Sequence, residues 1–237
     1  MKLIRKNCFE TNSSSTHALV IPKKVANDKW SIYDSLYHNY LFGREECRLV
    51  DDWDEKLAYI YIFLKLEEGS LIKDTDIKKF KKRTNELYKK AKELDEWACE
   101  KPLPNDIFKV IDDDIDYNCY VDHYGELKET GILEKILNDD EFLMRFLFNR
   151  DSYITIGGDE FRGYNIKTIG FQYDYDCNGH CVNEKWEEPP EDWFDKNGRI
   201  KDENFERYCK EYPYDNTDFW KKLKEYEKDN DVYLKGN

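Results

Sequence analysis

Between Trp53 and Glu67 the chain reads Trp-Asp-Glu-Lys-Leu-Ala-Tyr-Ile-Tyr-Ile-Phe-Leu-Lys-Leu-Glu, and Leu57, Ile60, Tyr61, Phe63 and Leu64 make it apolar over most of its circumference. A helix apolar on most sides is stable only when other elements wrap it. No run of about 18 apolar residues stands in the chain, so no membrane span is expected. One buried helix therefore sets the requirement, which is neighbours on several sides. The chain has 237 residues, a length that single domains reach. Hydrophobic residues at 40% and aromatics at 16% suffice for a sizeable core, and 38% charged residues require a large solvated surface.

The rest of the pattern is mixed. Residues 2–9 and 18–22 read as short strands flanking the polar segment Glu10–His17, with Pro22 closing the second. Asp74 caps an amphipathic helix expected to run to about Cys99. Its stripe is Ile77, Phe80, Leu87, Ala91, Leu94 and Ala98, and Pro102 and Pro104 end it. Residues 107–111 and 117–121 alternate and are expected as strands. Residues 130–149 are expected to be helical with a break at Asn138-Asp139-Asp140. Residues 152–156 form a strand, Gly157-Gly158 a turn, and 164–173 a return strand, the signature of a hairpin. From Cys177 the chain turns polar and rich in Trp and Tyr, with helices near 202–211 and 217–228. Helices and strands do not alternate regularly, which favours α+β over a doubly wound α/β fold. The expectation is a single compact domain with a mixed or antiparallel sheet. Residues 1–181 would form its core, and 182–237 a helical extension packed on that core.

The formal net charge is -13. Bare nucleic acid is a poor partner for such a chain, because phosphate binding needs a basic face. The basic stretch Lys78, Lys79, Lys81, Lys82, Arg83, Lys89 and Lys90 interleaves with apolar residues at helical spacing and reads as a solvated helix face. The acidic surface serves solubility, or meets a basic surface on another protein. The seven Cys are odd in number, and the opening Met1-Lys-Leu-Ile-Arg-Lys6 lacks the apolar stretch of a secretory leader. Reduced thiols in the cytoplasm are the expectation.

Four clusters could carry chemistry. Asn12-Ser13-Ser14-Ser15-Thr16-His17 combines hydroxyls, backbone amides and an imidazole, a set that holds a phosphate or carboxylate and moves a proton; it also makes an ordinary turn. Asp122-His123 follows the acidic run Asp112, Asp113, Asp114 and Asp116. A carboxylate beside an imidazole binds a divalent ion or orients the ring, and a surface loop is the plainer reading. Cys177, His180 and Cys181, with Cys119 and His123, would supply soft ligands for zinc, although the spacing is not C-x2-C. Gly157-Gly158-Asp159-Glu160-Phe161 is the fourth.

Those last five residues resemble the diguanylate-cyclase signature, in which a hairpin turn meets GTP and a carboxylate holds metal. Asp114-Ile-Asp116 and Asp122-His-Tyr-Gly125 look like that family's metal-binding strand and following loop. The family's D-x-L-T-x-L-x-N-R helix has no counterpart in residues 74–111, and the chain after Phe171 turns polar. Nucleotide binding at Gly157–Phe161 is what that resemblance implies.

A second resemblance covers residues 3–20 and about 118–160. Arg5-Lys-Asn-Cys-Phe-Glu-Thr-Asn-Ser-Ser-Ser-Thr-His17 resembles the opening of a group of small proteins from low-GC bacteria and their phages that has no assigned activity. Tyr120-Val121-Asp122-His123 is similar to a second motif of that group. A third is matched by Leu147-Phe148-Asn149 running into Ile154–Asp159, with Gly158 where the group has Asn. The resemblance implies a shared site in a bacterial host cell. His17, Asp122, His123 and Asp159 would be its catalytic and metal-ligating residues. Asn12, Ser13, Ser14, Ser15, Asn149, Gly157 and Gly158 would bind substrate. Two His and two Asp suit Mg, Mn or Zn, and hydroxyls beside a metal suit a phosphate ester. The expected activity is metal-dependent hydrolysis or transfer on a nucleotide or phosphodiester, with a nucleotide or phosphorylated small molecule as partner. The alternative is an acidic phage-encoded protein that occupies a basic surface of a host defence protein, with Tyr and Trp as anchors.

Overall fold

The computed structural model describes residues 16–26, 29–32, 40–43, 48–95, 103–115, 119–121, 130–157, 165–167, 169–171, 191–193, 201–211 and 216–235. Its centre is a four-stranded antiparallel sheet of β1 (Thr16–Pro22), β3 (Arg48–Val50), β5 (Tyr153–Gly157) and β8 (Asn230–Lys235), in the order β3-β5-β1-β8. Two short pairs accompany it. The parallel pair is β2 (Leu41–Phe42) with β4 (Tyr120–Val121), and the antiparallel pair is β6 (Asn165–Ile166) with β7 (Gly170–Phe171). The helices are α1 (Trp53–Leu66), α2 (Asp74–Leu94), α3 (Pro104–Asp114), α4 (Ile132–Asn138), α5 (Asp140–Phe148), α6 (Asp202–Glu211) and α7 (Asn216–Tyr226). The α+β class expected from the pattern is the observed one.

The sheet is buried on both faces, and β1 shows why. Strand side chains alternate between faces. Leu19 and Ile21 enter the main core with Ile154 and Ile156, beside α1, α2 and α5. Ala18 and Val20 enter a second, smaller core with Tyr153, Ile166, Phe219, Leu223, Val232 and Leu234. A strand buried on both sides reads as a continuous apolar run, which is what Ala18–Ile21 is. The apolar helix is α1, and Leu57 to Leu64 are wholly enclosed. Gly69, at φ 82, turns the chain from α1 toward α2; its amide reaches the Ile72 carbonyl at 2.9 Å.

Four expectations differ from the structure. Residues 107–111 are helical in α3. Pro104 stands at the first turn, where its missing N–H costs nothing, and the Asp106 carboxylate accepts from the Leu103 amide at 3.1 Å. Ile107, Phe108 and Ile111 then form a buried helical stripe that imitates alternation over five residues. The hairpin of β5 with 164–173 does not form, because both edges of β5 are taken by β1 and β3, and β6 pairs with β7. The boundary at 181/182 does not divide the sheet, since β8 pairs with β1 from His17↔Lys235 to Pro22↔Asn230. The helix expected to reach Cys99 ends at Leu94, with extended backbone at Asp95. The strand expected over 2–9 lies outside the described residues.

Candidate functional site

A cavity of about 520 Å³ opens where the first turn of α1 meets the end of α5, lined by Ser31, Asp51, Asp52, Trp53, Lys56, Leu147, Asn149 and Arg150. That volume suits a small ligand. Two backbone segments fix its wall. The Ser31 amide donates to the Phe148 carbonyl at 2.8 Å, and the Arg150 amide donates to the Lys29 carbonyl at 3.0 Å. The first of these bonds satisfies a carbonyl that the C-terminal end of α5 otherwise leaves open. The Asn149 side-chain oxygen accepts from the Asp151 amide at 2.9 Å, which sets the orientation of the amide group.

Lys56 is the unusual member. It sits in the first turn of α1 and is 1% exposed. Its Nζ donates to the Asn149 and Ser152 carbonyls, each at 3.0 Å. Burial lowers its pKa to about 7, against the opposing pull of Asp51, Asp52 and Asp54. The lysine therefore loses its proton near neutrality. Two other buried donors belong to residues of the wall. Trp53 Nε1 and Asn149 Nδ2 have no acceptor among the described residues. A buried donor without an acceptor is costly, and at a cavity wall it is the natural partner of a ligand oxygen. The Trp53 ring is held at 5.0 Å from Tyr88 and 5.7 Å from Phe148, centroid to centroid. At the rim, Asp51 pairs with Lys167 at 2.9 Å, and the Arg150 guanidinium is half exposed, 4.0 Å from Asp95.

Of the residues expected from sequence, Asn149 lines this cavity. His17 and Gly157 lie together elsewhere. Thr16 pairs with Gly157 and His17 with Ile156, at the far end of β5 from Asn149. Five strand residues span about 16 Å at ~3.3 Å each, so Asn149 is not brought to His17. His17 is wholly buried against α1, with Nδ1 and the Tyr59 hydroxyl 2.6 Å apart as a hydrogen-bonded pair. Asn12, Ser13, Ser14, Ser15, Asp122, His123, Gly158 and Asp159 lie outside the described residues, as do Cys177, His180 and Cys181. Cys119 is buried. Among the described residues no three His, Cys, Asp or Glu side chains gather to hold a metal.

Lys56, Trp53 and Arg150 were not singled out in the sequence. Lys56 had a signal, because it is the one cation among the first twelve residues of the apolar helix and lies four residues before Ile60. A charge on a helix that must be wrapped has to meet acceptors or lose its proton. Fold and site together define a two-faced antiparallel α+β domain with a lysine-bearing cavity at one helix junction. No protein-family model matches this chain, and neither a curated protein nor a solved structure does.

Proposed function

We propose that this protein binds a small molecule in the Lys56 cavity through acceptor oxygens of a carboxylate or phosphoryl group. The observation that carries this is the pair of buried donors on residues that line the wall, Trp53 Nε1 and Asn149 Nδ2, that meet no acceptor among the described residues. Arg150 at the same wall adds a fixed positive charge with forked donors suited to such a group. The phosphorylated small molecule or nucleotide expected from the sequence belongs to this class. Because Trp53 lines the cavity, its fluorescence reports occupancy. Titration with inorganic phosphate, pyruvate and a nucleoside monophosphate is expected to change the emission saturably with at least one of them. Arg150→Gln, a substitution at a half-exposed side chain, is expected to weaken that binding by about tenfold or more, since hydrogen bonds to charged groups contribute ~1.5–3 kcal/mol. No response to any of the three, or identical binding by the variant, refutes the reading.

A second reading keeps metal-dependent hydrolysis or transfer at the other end of β5. What favours it is the register: Thr16, which follows Ser15, pairs with Gly157, which precedes Gly158. Two of the three sequence motifs thus adjoin one sheet end. Elemental mass spectrometry of protein incubated with Mn or Zn is expected to find bound metal that Asp122→Ala and Asp159→Ala reduce. Equal metal in both variants removes the reading. The acidic-inhibitor alternative draws on the net charge of -13 and on no feature of the cavity.

A further inference from the structure

We infer that Lys56 is a nucleophilic amine that captures a small carbonyl compound bearing a carboxylate or phosphoryl group as an imine in the cavity between α1 and α5. This rests on the cavity being a ligand site, as proposed above, and names the chemistry of the ligand.

The geometry carries the inference. An ammonium has three N–H donors; a neutral amine has two and a lone pair. Lys56 Nζ is offered two carbonyls, Asn149 O and Ser152 O, each at 3.0 Å. Those two acceptors match the two N–H groups of the neutral amine, and its lone pair is left over on a side chain that lines an open cavity. The burial that brings the amine close to neutrality near pH 7 is the usual route by which a lysine becomes a nucleophile. Trp53 Nε1 and Asn149 Nδ2, donors unpaired among the described residues and borne by residues that line the same cavity, would serve the oxygen on which negative charge develops as nitrogen attacks carbon. Arg150 supplies the counter-charge for the anionic end of the molecule.

The step balances without any further reagent. The nitrogen lone pair forms a C–N bond, and the C=O π pair moves to oxygen, which takes a proton as nitrogen gives one up. The resulting carbinolamine loses its hydroxyl as water when that oxygen is protonated again. Amine plus carbonyl thus becomes imine plus water. A protonated imine retains one N–H, so one of the two carbonyl bonds to the 149–152 segment is kept and the other is released. Occupancy of the cavity would therefore loosen the turn between α5 and β5.

The test is reductive trapping on the full chain. Protein is incubated near neutral pH with pyruvate or with dihydroxyacetone phosphate, each with sodium cyanoborohydride, and the modified lysines are mapped by mass spectrometry. The expected result is saturable modification at Lys56, faster than at the exposed Lys78 and Lys82, rising as pH passes through about 7. Preference between the probes distinguishes a carboxylate from a phosphoryl ligand. Modification of Lys56 no faster than that of Lys82 with both probes overturns the imine. Thermal stabilisation by the probes without reductant separates the two ideas. Stabilisation without an adduct keeps the cavity as a ligand site and overturns the imine, whereas neither effect overturns both. Because the readout is made on the unaltered chain, it does not depend on a Lys56 variant folding.

Discussion

A lysine on the enclosed side of a helix has two ways to exist, and Lys56 uses both: it meets two carbonyls, and burial lowers its pKa from 10.5 to about 7. The direction fixes how stability responds to pH. Between about pH 7 and 10.5 the unfolded chain holds this proton and the folded chain does not, so the unfolded state binds more protons and stability rises with pH across that window. Below about pH 7 both states hold the proton and the burial cost is present in full. Urea unfolding of the protein and of Lys56→Met at about pH 7 and pH 10 measures this. The stability of the unaltered protein relative to the variant is expected to grow by on the order of 4 kcal/mol. A difference that stays constant with pH contradicts the lowered pKa. His17, like Lys56, has neighbours that were not evident from sequence. Its hydroxyl-rich surroundings in the chain suggested an open site, whereas its side chain is enclosed beside Tyr59, 42 positions away.

At the scale of elements, α1 organises the main core. Tyr61 packs against Phe108 of α3 with ring centroids 4.7 Å apart, and its hydroxyl donates to Asp112 at 2.7 Å. Lys81 of α2 reaches the same carboxylate at 2.8 Å, so three helices share one polar clamp. Burial pushes the Asp112 carboxyl up, but the hydrogen bonds from Lys81 and Tyr61 outweigh it and hold the group below the usual carboxylate range. The larger contribution is apolar. Ile60 is fully enclosed, and Ile60→Ala is expected to cost about 2–5 kcal/mol by lost transfer energy and a residual cavity. Denaturant unfolding with an unchanged slope but a lower midpoint is the expected signature; a loss under about 1 kcal/mol contradicts the central place given to α1.

At the scale of the whole molecule, the last strand belongs to the sheet. β8 covers one edge of β1, and Val232 and Leu234 close the second core together with Phe219 and Leu223 of α7. Truncation after Asp229 would bare a row of β1 backbone groups and remove those two side chains. The shortened chain is expected to lose cooperative unfolding and to aggregate, read by calorimetry and size-exclusion chromatography. A soluble, cooperatively folding truncation would restore the picture of a separable C-terminal extension.

Local pattern accounts for whatever depends on neighbours within a turn or two. Hydrophobic period identified α1, α2, the broken pair α4 and α5, the strands β1 and β5, and α7, because helix and strand each impose a fixed spacing on a buried face. It failed for 107–111, where the five-residue apolar pattern fits both periods and only the proline and aspartate before it favour the helix. Of the site, Asn149 entered only through the Leu147-Phe148-Asn149 resemblance, and the cavity it lines was not legible. The partners of the sheet and of Lys56 were decided by tertiary structure alone. β1 meets a strand more than 200 residues later, and Nζ of Lys56 meets carbonyls 93 and 96 positions away. Such contacts follow from which apolar faces can be covered together, a condition on the folded whole that no local pattern records.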